Sequence, residues 1–160
     1  MAGEIEYVVG DATVPNGGGP RIIAHVCNDD GGWGKGFVVA VSRRWREPEA
    51  AYRSWYRDRE TSGFALGAVQ VVPVGEELFV ANMIGQHGYR PGPGDPPVRY
   101  EAIGMALAAV GEHALELGAS VHMPRIGCGL AGGRWELVEP LIGERLTRRG
   151  IAVTVYDLEA

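Results

Sequence analysis

The stretch Val121-His122-Met123-Pro124-Arg125-Ile126-Gly127-Cys128-Gly129-Leu130-Ala131-Gly132-Gly133-Arg134-Trp135 decides the fold class. Its first part, Val121–Ile126, is an apolar run that reads as a strand. Glycines follow, and then Trp135, Val138, Ile142 and Leu146 recur at helical spacing until Gly150 ends the pattern. A strand that turns through glycines into a helix is half of a strand–helix–strand unit. The same order occurs earlier. Arg21–Cys27 is apolar, Asn28-Asp29-Asp30-Gly31-Gly32-Trp33-Gly34-Lys35-Gly36 follows, and a helical region runs from about Phe37 to Arg59. Pro48 is expected to break that region.

Working outward, Tyr7–Gly10, Ala68–Val74, Leu78–Ile84 and Ile151–Leu158 read as further strands. Most of these runs are continuous rather than alternating, as for strands covered on both faces. Tyr100, Ile103, Leu107, Val110, Ala114 and Leu117 form one apolar helical stripe, with Gly118 as its stop. Strands that alternate with helices predict an α/β layered domain with a largely parallel central sheet. The chain has 160 residues, enough for one core. Asn16–Pro20 and Pro91–Pro97 are Gly/Pro-rich loops, and neither is long enough to divide the chain. One domain, residues 1–160, is expected.

Composition narrows the function. The net charge is −5, and the arginines at 43, 44, 46, 53, 57 and 59 are interleaved with Glu47, Glu49, Asp58 and Glu60. That pattern is a solvated helix face rather than a phosphate-gripping patch, so direct nucleic-acid binding is not expected. No run approaches the roughly 18 apolar residues of a membrane span, and the N-terminal segment does not read as a signal peptide. A cytoplasmic location is the expectation. Two cysteines, Cys27 and Cys128, form neither a disulfide framework nor a zinc pattern, so no metal and no cofactor are expected.

The strand-ending loops carry the chemistry. Two of them are glycine-rich and open helices, where backbone N–H groups and the helix dipole favour an anion. A phosphate held mainly by backbone amides suits a chain of negative net charge. Gly127-Cys128-Gly129-Leu130-Ala131-Gly132 matches the bare dinucleotide pattern, but it lies late in the chain and lacks the acidic residue about 20 positions on. A P-loop is excluded, because Gly36 rather than Ser/Thr follows Gly34-Lys35.

These loops resemble the macrodomain family. Gly10-Asp11-Ala12-Thr13 is similar to its adenine-site motif, and His25 to Val38 to its first ligand loop. Met123 to Leu130 followed by Trp135, and Val153-Thr154-Val155-Tyr156, are similar to the branch containing terminal ADP-ribose protein glycohydrolase. The resemblance implies a three-layer α/β/α fold with a mixed, largely parallel sheet of about six strands. It implies ADP-ribose and ADP-ribosylated proteins as partners, and a monomer is expected. On that basis Asp11 and the Ala12 backbone hold the adenine, and Tyr156 packs against the adenosine end. Gly127, Cys128, Gly129, Leu130 and Ala131 wrap the pyrophosphate, Trp33, Gly34, Lys35 and Gly36 close the distal side, and Asn28 reaches the distal ribose. Without the family, Asn28 reads as an Asx-turn residue, Tyr156 as a strand-end core residue and His25 as a core histidine.

The sequence departs from that branch at two positions. Its attacking lysine would fall where this chain has Gly85-Gln86-His87, and its aspartate where this chain has Ala131. Lys35 is the only lysine and lies in the other loop. Three functions follow. In the first, water attacks an ADP-ribosyl ester held by Asn28, with Gln86 or His87 orienting the water or supplying a proton, and Asp29 and Asp30 as alternative polar contributors. In the second, the protein is a phosphatase of ADP-ribose 1''-phosphate in which His25 is functional. In the third, it binds ADP-ribose without turnover.

Overall fold

The computed structural model describes residues 3–88, 96–129 and 131–158. Leu130, assigned above to the pyrophosphate loop, and residues 91–95 of the second Gly/Pro-rich loop lie outside them.

The elements are β1 (Glu6–Val9), β2 (Arg21–Asn28), α1 (Phe37–Arg44), α2 (Glu47–Arg57), β3 (Val69–Gly75), β4 (Leu78–Gln86), α3 (Tyr100–Leu117), β5 (Ser120–Met123), α4 (Trp135–Arg145) and β6 (Val153–Asp157). They build one six-stranded sheet in the order β1-β6-β5-β2-β4-β3. Every neighbouring pair is parallel except β3 with β4. The continuous apolar runs are explained by burial from both sides. In β2, Ile22 and Ala24 enter the core beneath α3 and α4, while Ile23 and Cys27 enter the one beneath α1 and α2. The layers are therefore helix, sheet, helix.

Three local readings change. The helical region breaks at Trp45, which is extended at φ −141, ψ 139, and not at Pro48. Pro48 sits in the first turn of α2, where its missing N–H has no intrahelical acceptor to lose. The strand expected over Val121–Ile126 ends at Met123, so Pro124 to Ile126 already belong to the loop that follows β5. The last helix stops at Arg145, and a single 3₁₀ turn, Thr147–Arg149, precedes the left-handed Gly150.

Five parallel strands deliver their carboxyl ends to one side of the sheet, where α/β folds bind ligands. The β2/β4 register slips there, pairing Asn28 with Gln86 and leaving Gly85 in a bulge. A Cβ on Gly85 would sit 2.9 Å from Ile103 Cγ1 and 3.1 Å from Val26 Cγ1, so the backbone approaches α3 as only glycine allows.

Candidate functional site

Asn28, the last residue of β2, organises the first loop. Its Oδ1 accepts hydrogen bonds from the Asp30 N–H (2.9 Å) and the Gly32 N–H (3.1 Å), and its Nδ2 donates to the Gly32 carbonyl at 2.9 Å. The Tyr52 hydroxyl, on fully buried α2 surface, lies 2.7 Å from the Asn28 carbonyl and 3.0 Å from Oδ1, and accepts the Gly31 N–H at 3.1 Å. Asn28 therefore works as an Asx-type clamp on the loop. One of its two Nδ2 donors goes to Gly32. Trp33 turns inward: its indole donates to Ser42 Oγ at 2.7 Å, and its ring packs on His25 and Tyr52. Gly34, Lys35 and Gly36 stay exposed at the start of α1.

Beside Asn28 the ends of β2 and β4 are tied together. The Asp29 N–H donates to the Gln86 carbonyl at 3.1 Å, and Gln86 Nε2 donates to the Gly88 carbonyl at 2.9 Å. Asp29 Oδ1 accepts the Gly88 N–H at 2.8 Å, and Oδ2 lies 2.7 Å from His87 Nδ1. An ionised carboxylate can only accept, so the neutral tautomer of His87 that fits this contact carries its proton on Nδ1 and its lone pair on Nε2. The His87 side chain is 65% exposed and that of Asp29 20%. A mostly buried carboxylate thus orients an open imidazole.

His25 lies beneath the Asn28 loop, under Trp33, and is not open to it. It is 1% exposed, its Nε2 lies 2.6 Å from Asn82 Oδ1, and Asn82 Nδ2 donates to Pro48 O and Gln70 Oε1. That network makes Asn82 Oδ1 the acceptor and His25 the donor. Burial pushes the imidazole down to about 4, more than its bond to Asn82 raises it.

The third loop is closed by its own backbone. The Cys128 N–H donates to Arg125 O at 3.3 Å, Gly132 N–H to Gly129 O at 3.0 Å and Gly133 N–H to Gly127 O at 2.7 Å. Residues 96–99 stitch it to the β4 end, through His87 N–H to Pro97 O (2.7 Å), Val98 N–H to Ala131 O (3.0 Å) and Arg99 N–H to Gly85 O (2.9 Å). Ala131 is buried there. Burial pushes the Cys128 thiol up despite the nearby Arg125, which suits a backbone role rather than a thiolate.

At the β1 end, Asp11 Oδ1 accepts the Thr13 N–H (2.8 Å) and hydroxyl (2.7 Å), and Arg44 NH2 lies 3.8 Å from Oδ2. Partial burial raises this carboxyl, but the Thr13 bonds and the Arg44 charge outweigh it and hold it below the usual range. Ala12 is buried beneath the turn. Tyr156 is 3% exposed: its hydroxyl accepts the Asn16 N–H at 2.8 Å and lies 2.7 Å from His122 Nδ1, and its ring supports Gly10. It offers almost no face to solvent in this conformation.

Tyr52, the bonding role of Arg44 and residues 96–99 escaped the sequence reading. They act across elements, and no local spacing links α2 to the β2 loop or α1 to the β1 loop. Among the described residues no group of three or more His, Cys, Asp or Glu could hold a metal ion, and no helix is long and apolar enough to cross a membrane.

An α/β/α sandwich with glycine-rich loops gathered at the carboxyl ends of parallel strands is of the class of α/β domains that place their ligand sites at those strand ends. No family model matches the chain. The solved macrodomain protein of Streptomyces coelicolor is 66% identical, covers 96% of this chain and 99% of its own, and superposes with a TM-score of 0.87. The chain belongs to the macrodomain family. It is 42% identical over 60 residues to human ADP-ribose glycohydrolase OARD1, which is 37% of this chain and 40% of that one. It is 32% identical over 162 residues to mouse chromodomain-helicase-DNA-binding protein 1-like, covering 95% of this chain but only 17% of that relative's length.

Proposed function

We propose that this protein is a hydrolase that removes ADP-ribose from ADP-ribosylated proteins, with Glu/Asp-linked esters as the substrate class. The observation that carries the reading is the Asp29–His87 pair beside Asn28 and Gln86. His87 falls in the Gly85-Gln86-His87 stretch where the resemblance puts that branch's attacking lysine, and the pair can move a proton without becoming a covalent nucleophile. The relationship to an ADP-ribose glycohydrolase supports the same substrate.

In this mechanism ADP-ribose lies across the strand ends. Asp11 Oδ2 and the Ala12 backbone face the adenine. The 127–131 loop and the Gly34–Gly36 turn flank the pyrophosphate, and the clamped Asn28 loop holds the distal ribose. A water oxygen bonds to the anomeric carbon while the ribose–carboxylate bond breaks and its electron pair leaves with the carboxylate. His87 Nε2 takes the water's proton, and Asp29 stabilises the imidazolium that results. Positioning alone can contribute about 7–11 kcal/mol, and a carboxylate leaves without strong acid assistance. On this reading residues 1–160 work as one cytoplasmic macrodomain, a monomer whose partners are modified proteins. The phosphatase alternative loses support from a buried His25 bonded to Asn82.

The test is ADP-ribose release from a glutamate-ADP-ribosylated protein, followed by mass spectrometry, with free ADP-ribose binding measured on the same sample. His87→Ala is expected to cut turnover by about 10²-fold or more, with ADP-ribose affinity nearly unchanged. Tight binding with no release by the unaltered protein would make it a reader instead.

A further inference from the structure

Arg125 lies just beyond β5, between the Asp11 turn and the 127–133 loop. Asp157, the last residue of β6, is held on the Asp11 side, because its carbonyl accepts the Gly10 N–H at 2.8 Å. The Asp157 carboxylate grips Arg125 as a fork, Nε to Oδ1 at 2.6 Å and NH2 to Oδ2 at 3.1 Å. The guanidinium carbon also lies 5.2 Å from the Tyr7 ring centre and 5.1 Å from that of Trp135. Those rings meet edge to face at 6.3 Å, and the Trp135 indole donates to the Tyr7 hydroxyl at 3.0 Å. Even so, 41% of the Arg125 side chain is exposed.

A forked carboxylate engages the edge of a guanidinium and leaves its flat faces to π systems. Its negative charge also offsets the arginine's, which makes the group a better stacking plane than a phosphate clamp. The adenosine end needs such a plane, and Tyr156 is buried with its hydroxyl in use.

We infer that Arg125, held flat by Asp157 and backed by Tyr7 and Trp135, stacks on the purine base of the ligand while Asp11 reads the base edge. This rests on the ADP-ribose reading above. Base selectivity then comes from a side chain just beyond β5 rather than from the β6 aromatic.

The experiment titrates ADP-ribose and ribose 5-phosphate, which lacks the base, into the unaltered protein, Arg125→Ala, Arg125→Lys and Asp157→Asn. Arg125→Ala is expected to weaken ADP-ribose roughly tenfold or more and leave ribose 5-phosphate unchanged. Arg125→Lys restores charge without a plane and is expected not to rescue. Asp157→Asn keeps the shape, loosens the fork and gives a smaller base-selective loss, which serves if the arginine variants fold poorly. Unchanged ADP-ribose affinity, equal losses on both probes, or full rescue by lysine would each overturn the inference. Failure of the unaltered protein to bind ADP-ribose would instead remove the functional reading beneath it.

Discussion

The deepest structural commitment that solution measurements can reach is the buried His25. In the folded protein its Nε2–H is spent on Asn82 Oδ1, and near Nδ1 stands the Cys27 sulfur at 4.0 Å, a poor acceptor for a second proton. Burial holds the imidazole at about 4, against 6.5 for the free side chain. Above pH 6.5 both folded and unfolded chains carry it neutral, and it contributes nothing to pH dependence. As pH falls below 6.5 the unfolded chain takes up a proton that the folded chain refuses, so stability declines. At pH 5 the loss is about 2 kcal/mol relative to pH 8, and it levels off near about 3 kcal/mol below pH 4. His122, lowered to about 4 by burial and then by the Arg21 charge, acts in the same direction. Urea unfolding at pH 8, 6.5 and 5, followed by tryptophan fluorescence, is compared between the unaltered protein and His25→Gln. The glutamine has no titration of its own, so the drop between pH 8 and 5 should shrink by about 2 kcal/mol in the variant. An equal drop in both proteins would refute the reasoning, since His25 would then titrate normally.

Three further outcomes test the site. A Cβ on Gly133 would meet Gly127 O at 2.3 Å, whereas one on Gly129 meets nothing within 4 Å. Gly133→Ala should therefore lower the melting temperature, while Gly129→Ala should leave it unchanged and weaken ADP-ribose; a matching loss of stability in both would remove the cradle from Gly129. Tyr52→Phe leaves the Gly31 N–H without its acceptor and should cost about 1–3 kcal/mol in urea unfolding, with kcat falling more than KM rises. An unchanged kcat would mean that the Asn28 loop needs no clamp. Asp11→Ala should raise the Kd for ADP-ribose and spare turnover at saturation; a lost kcat with unchanged Kd would contradict a role in base binding.

Much of the architecture was legible in the chain because burial on both faces leaves a continuous apolar record, as in Arg21–Cys27 and Leu78–Ile84. Glycines also marked where α3 stops, with Gly118 left-handed at φ 65. The glycine-rich loops stood out as candidate ligand loops because glycine runs after buried strands have few purely structural uses. Individual roles were less legible. Trp33, Tyr156 and His25 have residue types that suit a ligand or a core equally, and only packing separates the two; all three are at most 5% exposed. Asn28 carried its Asx signal in the sequence, and its bonds to Asp30, Gly32 and Tyr52 follow that signal.

Local chemistry thus settled the layered α/β class, the glycine-rich strand ends and the missing lysine and aspartate, because each depends on residue type and near-neighbour spacing. Tertiary structure alone decided which polar groups meet. Asp29 and His87 are 58 residues apart, yet lie 2.7 Å from each other because β2 and β4 pair in parallel and slip register at their ends. Arg125 and Asp157 meet in the same way from the ends of β5 and β6. Parallel pairing joins strands through crossover connections far longer than any local motif, so contacts between their ends leave no trace in sequence spacing.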